Sequence, residues 1–235
     1  MKVDILGIEI DDLTMEETVR YIAEAIKEKR TFRVVTANPE IIYAATRDKG
    51  LRDLINRADL VTADGFGVIW AAAFLGTPLR ERVTGIDLLQ ALFPHAGKNN
   101  WRLFFVGAQP GVAEKAAGQI ERDNPGIIWQ AEHGYFQAED EFKVKEKIRL
   151  FKPDLLLAGL GAPRQERWLA ENPELAEAVI GVGGSFDVLA GNVRRAPHWM
   201  RRVKLEWLYR LVQEPRRWRR QMVLPLFVWK VLTTK

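Results

Sequence analysis

The chain contains no cysteine, so it has neither a disulfide framework nor a thiolate metal site. Its three histidines, His95, His133 and His198, lie far apart in sequence and do not suggest a metal cluster. There is no Asp-x-Asp triplet, the pattern that holds a divalent cation against the diphosphate in many sugar-nucleotide enzymes. A diphosphate bound here would therefore meet arginines and helix N-termini instead, and no metal or cofactor is expected. Neither the dinucleotide fingerprint G-x-G-x-x-G nor a phosphate loop ending in lysine occurs. Repeats, low-complexity tracts and long Gly/Ser linkers are also missing. No run approaches the roughly 20 apolar residues of a spanning helix; the longest candidate, Met222 to Trp229, contains Pro225. The opening residues MKVDILGIEIDD turn acidic too early for a signal peptide, and a cytoplasmic location is expected.

What remains is an ordinary globular composition, 47% hydrophobic and 28% charged over 235 residues, with one strong asymmetry. From Arg194 to Lys235 there are 12 Lys and Arg against Glu206 and Glu214, a net of +10, whereas the preceding 193 residues hold 23 bases and 29 acids, a net of −6. Four of the eight tryptophans, Trp199, Trp207, Trp218 and Trp229, fall in this tail. Two units are expected: a catalytic body over 1–193 and a basic, Trp-rich appendage over 194–235. Such a tail suits a polyanionic surface, either phospholipid or nucleic acid.

Along the body, apolar runs alternate with helical patterns. Strands are expected near Asp4–Ile10, Phe32–Ala37, Asp59–Thr62, Arg102–Val106, Ile127–Ala131, Asp154–Gly159 and Ala178–Val182. Runs such as LFFV and LLLAG suit strands buried on both faces. Thr14-Met-Glu-Glu17 fits a capping box. Further helices are expected at Pro39–Arg47, Phe66–Leu75, Ile86–His95, Pro110–Arg122, Asp140–Phe151 and Arg164–Glu171. The alternation indicates an α/β fold with a mostly parallel sheet and flanking helices.

Ligands of such sheets bind outside the carboxyl ends of the strands, where this chain collects its polar and glycine-rich segments. Gly107-x-x-x-Gly111 opens a helix and is either a phosphate cradle or a pair of turn glycines. The same alternatives hold for Gly183-Gly184. Asp64, between a strand and a helix, is either a general base or a helix N-cap; Asp187 has the same ambiguity. Asn38 beside Pro39 either caps a helix or binds a sugar hydroxyl. Gln165 and Glu166 open a helix, where a first-turn role is the plain alternative. Tyr135 is either a base-stacking residue or a core aromatic. Arg82 and the tail arginines are the supply of positive charge for phosphate.

In the tail, Met200, Val203, Trp207 and Leu211 form an apolar stripe at helical spacing, flanked by Arg210. Pro215 breaks the pattern, and Pro225 is expected to kink or end any later helix. Each base near an anionic leaflet contributes about 1 kcal/mol, which favours a segment lying on a membrane. Alternatively, the arginines fold over a phosphorylated substrate, or Trp and Leu serve a homo-oligomeric contact. The body offers no nucleic-acid motif and no second basic face, so nucleic acid is not the expected partner.

The segments TANPE (36–40), ADGFGV (63–68), RVTGIDL (82–88), FFVGAQPGVAEKAA (104–117), GYF (134–136), GLGAPRQERW (159–168), GVGGSFDVLAG (181–191) and RRAPHWMRRVKLEWLYRLVQEPRRWRR (194–220) together resemble the WecG/TagA/CpsF glycosyltransferase family. The match spans nearly the whole chain in motif order and closely resembles the teichoic-acid branch. The resemblance implies a Rossmann-like core, a C-terminal appendage for membrane targeting and active-site closure, and an inverting, metal-independent transfer of N-acetylmannosamine. The donor would be a UDP-sugar and the acceptor N-acetylglucosaminyl-diphospho-undecaprenol at the cytoplasmic membrane face. It implies Asp64 as the base with Thr36 close by, Arg82 and Gln165 in the substrate pocket, and Tyr135 and Asp187 at the nucleotide. Arg210, Arg217 and Arg220 would reach the diphosphates. Relatives in other polysaccharide pathways use N-acetylmannosaminuronate or other sugars. A non-enzymatic nucleotide- or nucleic-acid-binding module is the competing class.

Overall fold

A computed structural model of the chain describes residues 1–197, 199–200, 206–213 and 218–234. At its centre are six strands, β3 (Phe32–Ala37), β4 (Leu60–Ala63), β5 (Arg102–Gly107), β6 (Ile128–Glu132), β7 (Leu155–Gly159) and β8 (Ala178–Gly181), in the spatial order β4-β3-β8-β7-β5-β6 with every pairing parallel. Each starts and ends within one residue of its expected position. The α/β, Rossmann-like reading is correct.

The expected first strand, 4–10, is instead a hairpin of β1 (Lys2–Ile5) and β2 (Ile8–Asp11). Leu6 and Gly7 both have positive φ, 56° and 87°, which supplies the tight reversal. Alternation places Val3, Ile5, Ile8 and Ile10 in the core and Asp4 and Glu9 outside.

Because successive side chains on a strand face opposite ways, each central strand feeds two cores. Leu103, Phe105, Leu155 and Leu157 pack with α1 (Met15–Lys27), α5 (Gly85–Lys98) and α6 (Val112–Asp123). Phe104, Val106, Leu156 and Ala158 pack on the other face with α7 (Ala138–Phe151) and α8 (Arg164–Glu171). On that same face Val35, Ala37 and Val61 meet α2 (Pro39–Ala45), α3 (Lys49–Asn56) and α4 (Phe66–Phe74). Thr14 and Glu17 form the expected capping box on α1. Two helices were not expected: α3, capped by Asp48, and the five-residue α9 (Ser185–Leu189).

The tail contributes α10 (Glu206–Gln213), α11 (Trp218–Gln221) and α12 (Val223–Leu232). Pro225 neither kinks nor ends α12. It stands in the first turn, where its missing N–H has no partner to lose. Phe227 and Val231 of α12 are fully buried, and α12 packs on α2 and α4. At about 1.5–3 kcal/mol per fully buried apolar side chain, these two residues are the main contribution to holding α12 on the body. His198, residues 201–205 and residues 214–217 lie outside the described residues, so the helix expected over 198–212 is described only from Glu206 onward and at 199–200.

Candidate active site

The parallel arrangement sends every strand exit to one rim. There the ends of β3, β4, β7 and β8 enclose a cavity of about 810 Å³. Its floor is polar and includes Thr36, Asn38, Asp64, Arg82, Thr84, Gln165, Glu166 and Ser185. Its roof is mostly apolar and comes from the tail, with Trp207 and Leu211 of α10, Trp218 of α11 and Leu224, Pro225 and Phe227 of α12.

Asp64 follows β4, and its backbone N–H bonds to Ala37 O at 2.9 Å, extending the β3–β4 pairing. Residues 82–85 run back along that end: Val83 N–H reaches Ala63 O at 3.0 Å, and Thr62 Oγ1 donates to Val83 O at 3.1 Å. This brings the start of α5 against the strand exit, and Gly85 N–H donates to Asp64 Oδ2 at 3.2 Å. The N-cap reading of Asp64 is thus corrected. Its own helix, α4, is capped by Gly65 without a side-chain bond, and the carboxylate sits instead at the N-terminus of the 14-residue α5. A helix N-terminus favours an anion there. A Cβ on Gly85 would lie 3.6 Å from Thr36 Oγ1 and 3.8 Å from Asp64 Oδ2, so Thr36, Asp64 and the start of α5 converge. Thr36 Oγ1 is oriented by donating to Gly181 O at 3.0 Å.

Asn38 caps α2, its Oδ1 accepting from Ile41 N–H at 3.0 Å, while it also borders the cavity. Gln165 is buried. Its Oε1 accepts from Gly183 N–H at 3.1 Å and its Nε2 donates to Glu166 Oε1 at 2.7 Å. Gly183 and Gly184 line the cavity, as do Arg82 and Gln165.

The other expected residues lie elsewhere on the rim. Gly107, Gly111, Tyr135 and Asp187 do not line the cavity. A Cβ on Gly107 would sit 2.5 Å from the Gly159 carbonyl carbon, so that glycine is required by the close approach of β5 to β7. Gly111 is the left-handed N-cap of α6. Tyr135 is 67% exposed, which corrects the core-aromatic alternative. Its loop is held to the neighbouring exits by Gly134 N–H to Ala108 O, 2.9 Å, and by Arg164 Nη1 to Gly134 O, 3.1 Å. Asp187 lies in the first turn of α9, and its backbone carbonyl accepts from Asn192 and Val193 N–H. Arg217 lies outside the described residues. Arg210 and Arg220 fall on α10 and α11, with their side chains outside what is described.

Three features were not foreseen: the buried Glu166, the apolar character of the tail residues over the cavity, and an anchor between tail and body. In the anchor, Thr84 Oγ1 donates to Asp87 Oδ2 at 2.6 Å, and Arg195 Nη2 reaches Asp87 Oδ1 at 2.5 Å. The only sequence signal was the spacing Thr84-x-x-Asp87, an acidic variant of the capping box. Burial alone would push the Asp87 carboxyl up, but the Thr84 hydroxyl, Arg195 and the charge of Arg82 outweigh it and hold the group below the usual carboxylate range. Burial also pushes the Glu166 carboxyl up, only partly opposed by the Gln165 amide and Arg33.

Fold and site together define a Rossmann-like enzyme scaffold with one roofed cavity at the strand exits. The model of the glycosyl transferase WecG/TagA/CpsF family matches residues 3–235, and the chain belongs to that family. Two relatives from Staphylococcus aureus, strains MW2 and NCTC 8325 / PS 47, are each 39% identical over 238 residues, covering 100% of this chain and 93% of the relative. Both are named N-acetylglucosaminyldiphosphoundecaprenol N-acetyl-beta-D-mannosaminyltransferase. The protein is a glycosyltransferase.

A carboxyl whose native pKa is lowered stabilises the fold above its ordinary value of 3.8 and loses that contribution as pH falls toward the native value. Asp87→Asn is accordingly expected to lower stability at neutral pH and to approach the parent at acid pH, below 3.8, as read by urea unfolding. A loss of equal size at both pH values would make Asp87 a matter of shape alone.

Proposed function

We propose that the protein transfers N-acetylmannosamine from a UDP donor to the C4 hydroxyl of N-acetylglucosaminyl-diphospho-undecaprenol, with inversion and without a metal. The observation that carries this reading is the convergence of Asp64, Thr36 and the α5 N-terminus on the floor of a roofed cavity. The name of the relatives supports the acceptor and the transferred sugar in this reading.

In this mechanism Asp64 removes the proton of the acceptor hydroxyl as that oxygen attacks the anomeric carbon. The bond from the anomeric carbon to the β-phosphate oxygen breaks, and UDP leaves with the electron pair. Charge accumulates on the departing diphosphate, so its stabilisation is the largest demand on the site. Arg82, Arg210, Arg217 and Arg220 meet that demand, with Gly184 in the cavity and Gly111, at the start of α6 on the neighbouring exit, presenting backbone N–H groups. Thr36, Asn38 and Gln165 orient the sugars, and Tyr135 and Asp187 hold the nucleotide at the neighbouring exits.

The division into a catalytic body, 1–193, and an appendage, 194–235, belongs to the same proposal. The appendage closes the cavity and lays the enzyme on the anionic inner face of the membrane, where the lipid-linked acceptor resides. Support comes from the net +10 of the tail and from its exposed apolar residues Trp199, Trp229, Leu226 and Leu232. Among the described residues no helix is long and apolar enough to cross a membrane, so attachment is peripheral in this reading.

Asp64→Asn is expected to lower the rate of transfer by about 10²–10⁴-fold for loss of a general base, with UDP affinity retained. Near-parental turnover would remove Asp64 from that role. The protein is also expected to co-sediment with anionic vesicles and to detach as ionic strength rises; equal binding to neutral vesicles, insensitive to salt, would contradict the electrostatic attachment.

A further inference from the structure

Glu166 has no part in the proton transfer above, yet it is the most buried acid lining the cavity, at 3% exposure. Oε1 is engaged: it accepts the Gln165 Nε2–H at 2.7 Å, and with Gly183 N–H on Gln165 Oε1 at 3.1 Å this decides which way round the Gln165 amide stands. Oε2 is buried and has no hydrogen-bond partner among the described residues. Buried polar atoms are almost always satisfied, so the bond to Gln165 is the contact that holds this carboxyl.

No charged side chain among the described residues is hydrogen-bonded to Glu166. Arg33, on β3, has an electrostatic effect on Glu166 that is smaller than the effect of burial. Its Nη2 is bonded to Leu54 O at 2.9 Å, and its Nη1, like Glu166 Oε2, is buried with no hydrogen-bond partner among the described residues. Arg167, the next residue on α8, is paired with Asp48 at 2.5 Å.

We infer that Glu166 is a positioning residue of the site: Oε1 fixes which way round the Gln165 amide stands, and with it the groups that Gln165 offers to the cavity and to Gly183. This rests on reading the cavity as the sugar-transfer site.

The test compares Glu166→Gln with Glu166→Leu in the full-length protein, using UDP-N-acetylmannosamine and a GlcNAc-diphospho-lipid. Glutamine keeps an acceptor toward Gln165; leucine keeps the bulk and has none. Glu166→Leu is expected to raise KM about tenfold or more, whereas Glu166→Gln recovers most of that loss, to within about threefold of the parent. Amide hydrogen exchange at Gly183 is expected to quicken in the leucine variant only, because Gln165 is no longer held. Loss of activity in Glu166→Gln equal to that in Glu166→Leu would overturn the inference, since an ionised carboxylate would then be required. Parental KM in Glu166→Leu would overturn it as well, leaving Glu166 a packing residue. Absence of transfer by the parent would instead count against the proposed reaction, and Gly183 exchange would still decide whether Glu166 positions Gln165.

Discussion

Six strands running in one direction are the constraint on which the rest of the molecule depends. A parallel ladder delivers every carboxyl end to the same rim. Residues as distant as Thr36, Asp64, Gln165 and Gly183 therefore become neighbours without any local signal joining them. The 82–85 segment adds the second condition by lying along the end of β4 and pointing the start of α5 at Asp64. Together these place a carboxylate, a hydroxyl and a helix N-terminus around one point.

The rim alone would be an open, wet surface. The tail changes this by laying α10, α11 and α12 over it, with Phe227 and Val231 inserted into the body and Arg195 fastened to Asp87. The anchor is built on the N-cap of α5, the same helix whose first N–H holds Asp64. The position of Asp64 and the attachment of the roof thus share one structural element. Excluding water under such a roof strengthens every charge interaction inside it.

Much of the fold was legible because strands buried on both faces must be written as continuous apolar runs, and LFFV and LLLAG have no other plausible environment. The hairpin was not legible: its reversal uses Leu6 at positive φ, an apolar residue that gives no turn signal. The helix α3 was hidden because only Leu51 and Ile55 of its eight residues are buried. Pro225 misled because its effect depends on position within a helix, and the first turn tolerates it. At the site, the loops bearing Asp64, Gln165 and Gly183 could be found from strand exits alone. The Asp64 contact with Gly85, the orphaned oxygen of Glu166 and the apolar roof could not, since each depends on tertiary packing across many residues.

The reading of the cavity as a site of sugar transfer between a nucleotide and a lipid-linked acceptor is tested most directly by UDP release from UDP-N-acetylmannosamine. The assay is run in EDTA, with and without a GlcNAc-diphospho-lipid. The account predicts release that depends on the acceptor and persists in the chelator. Release that is absent with the acceptor present, or that vanishes in EDTA and returns with a divalent cation, would contradict it.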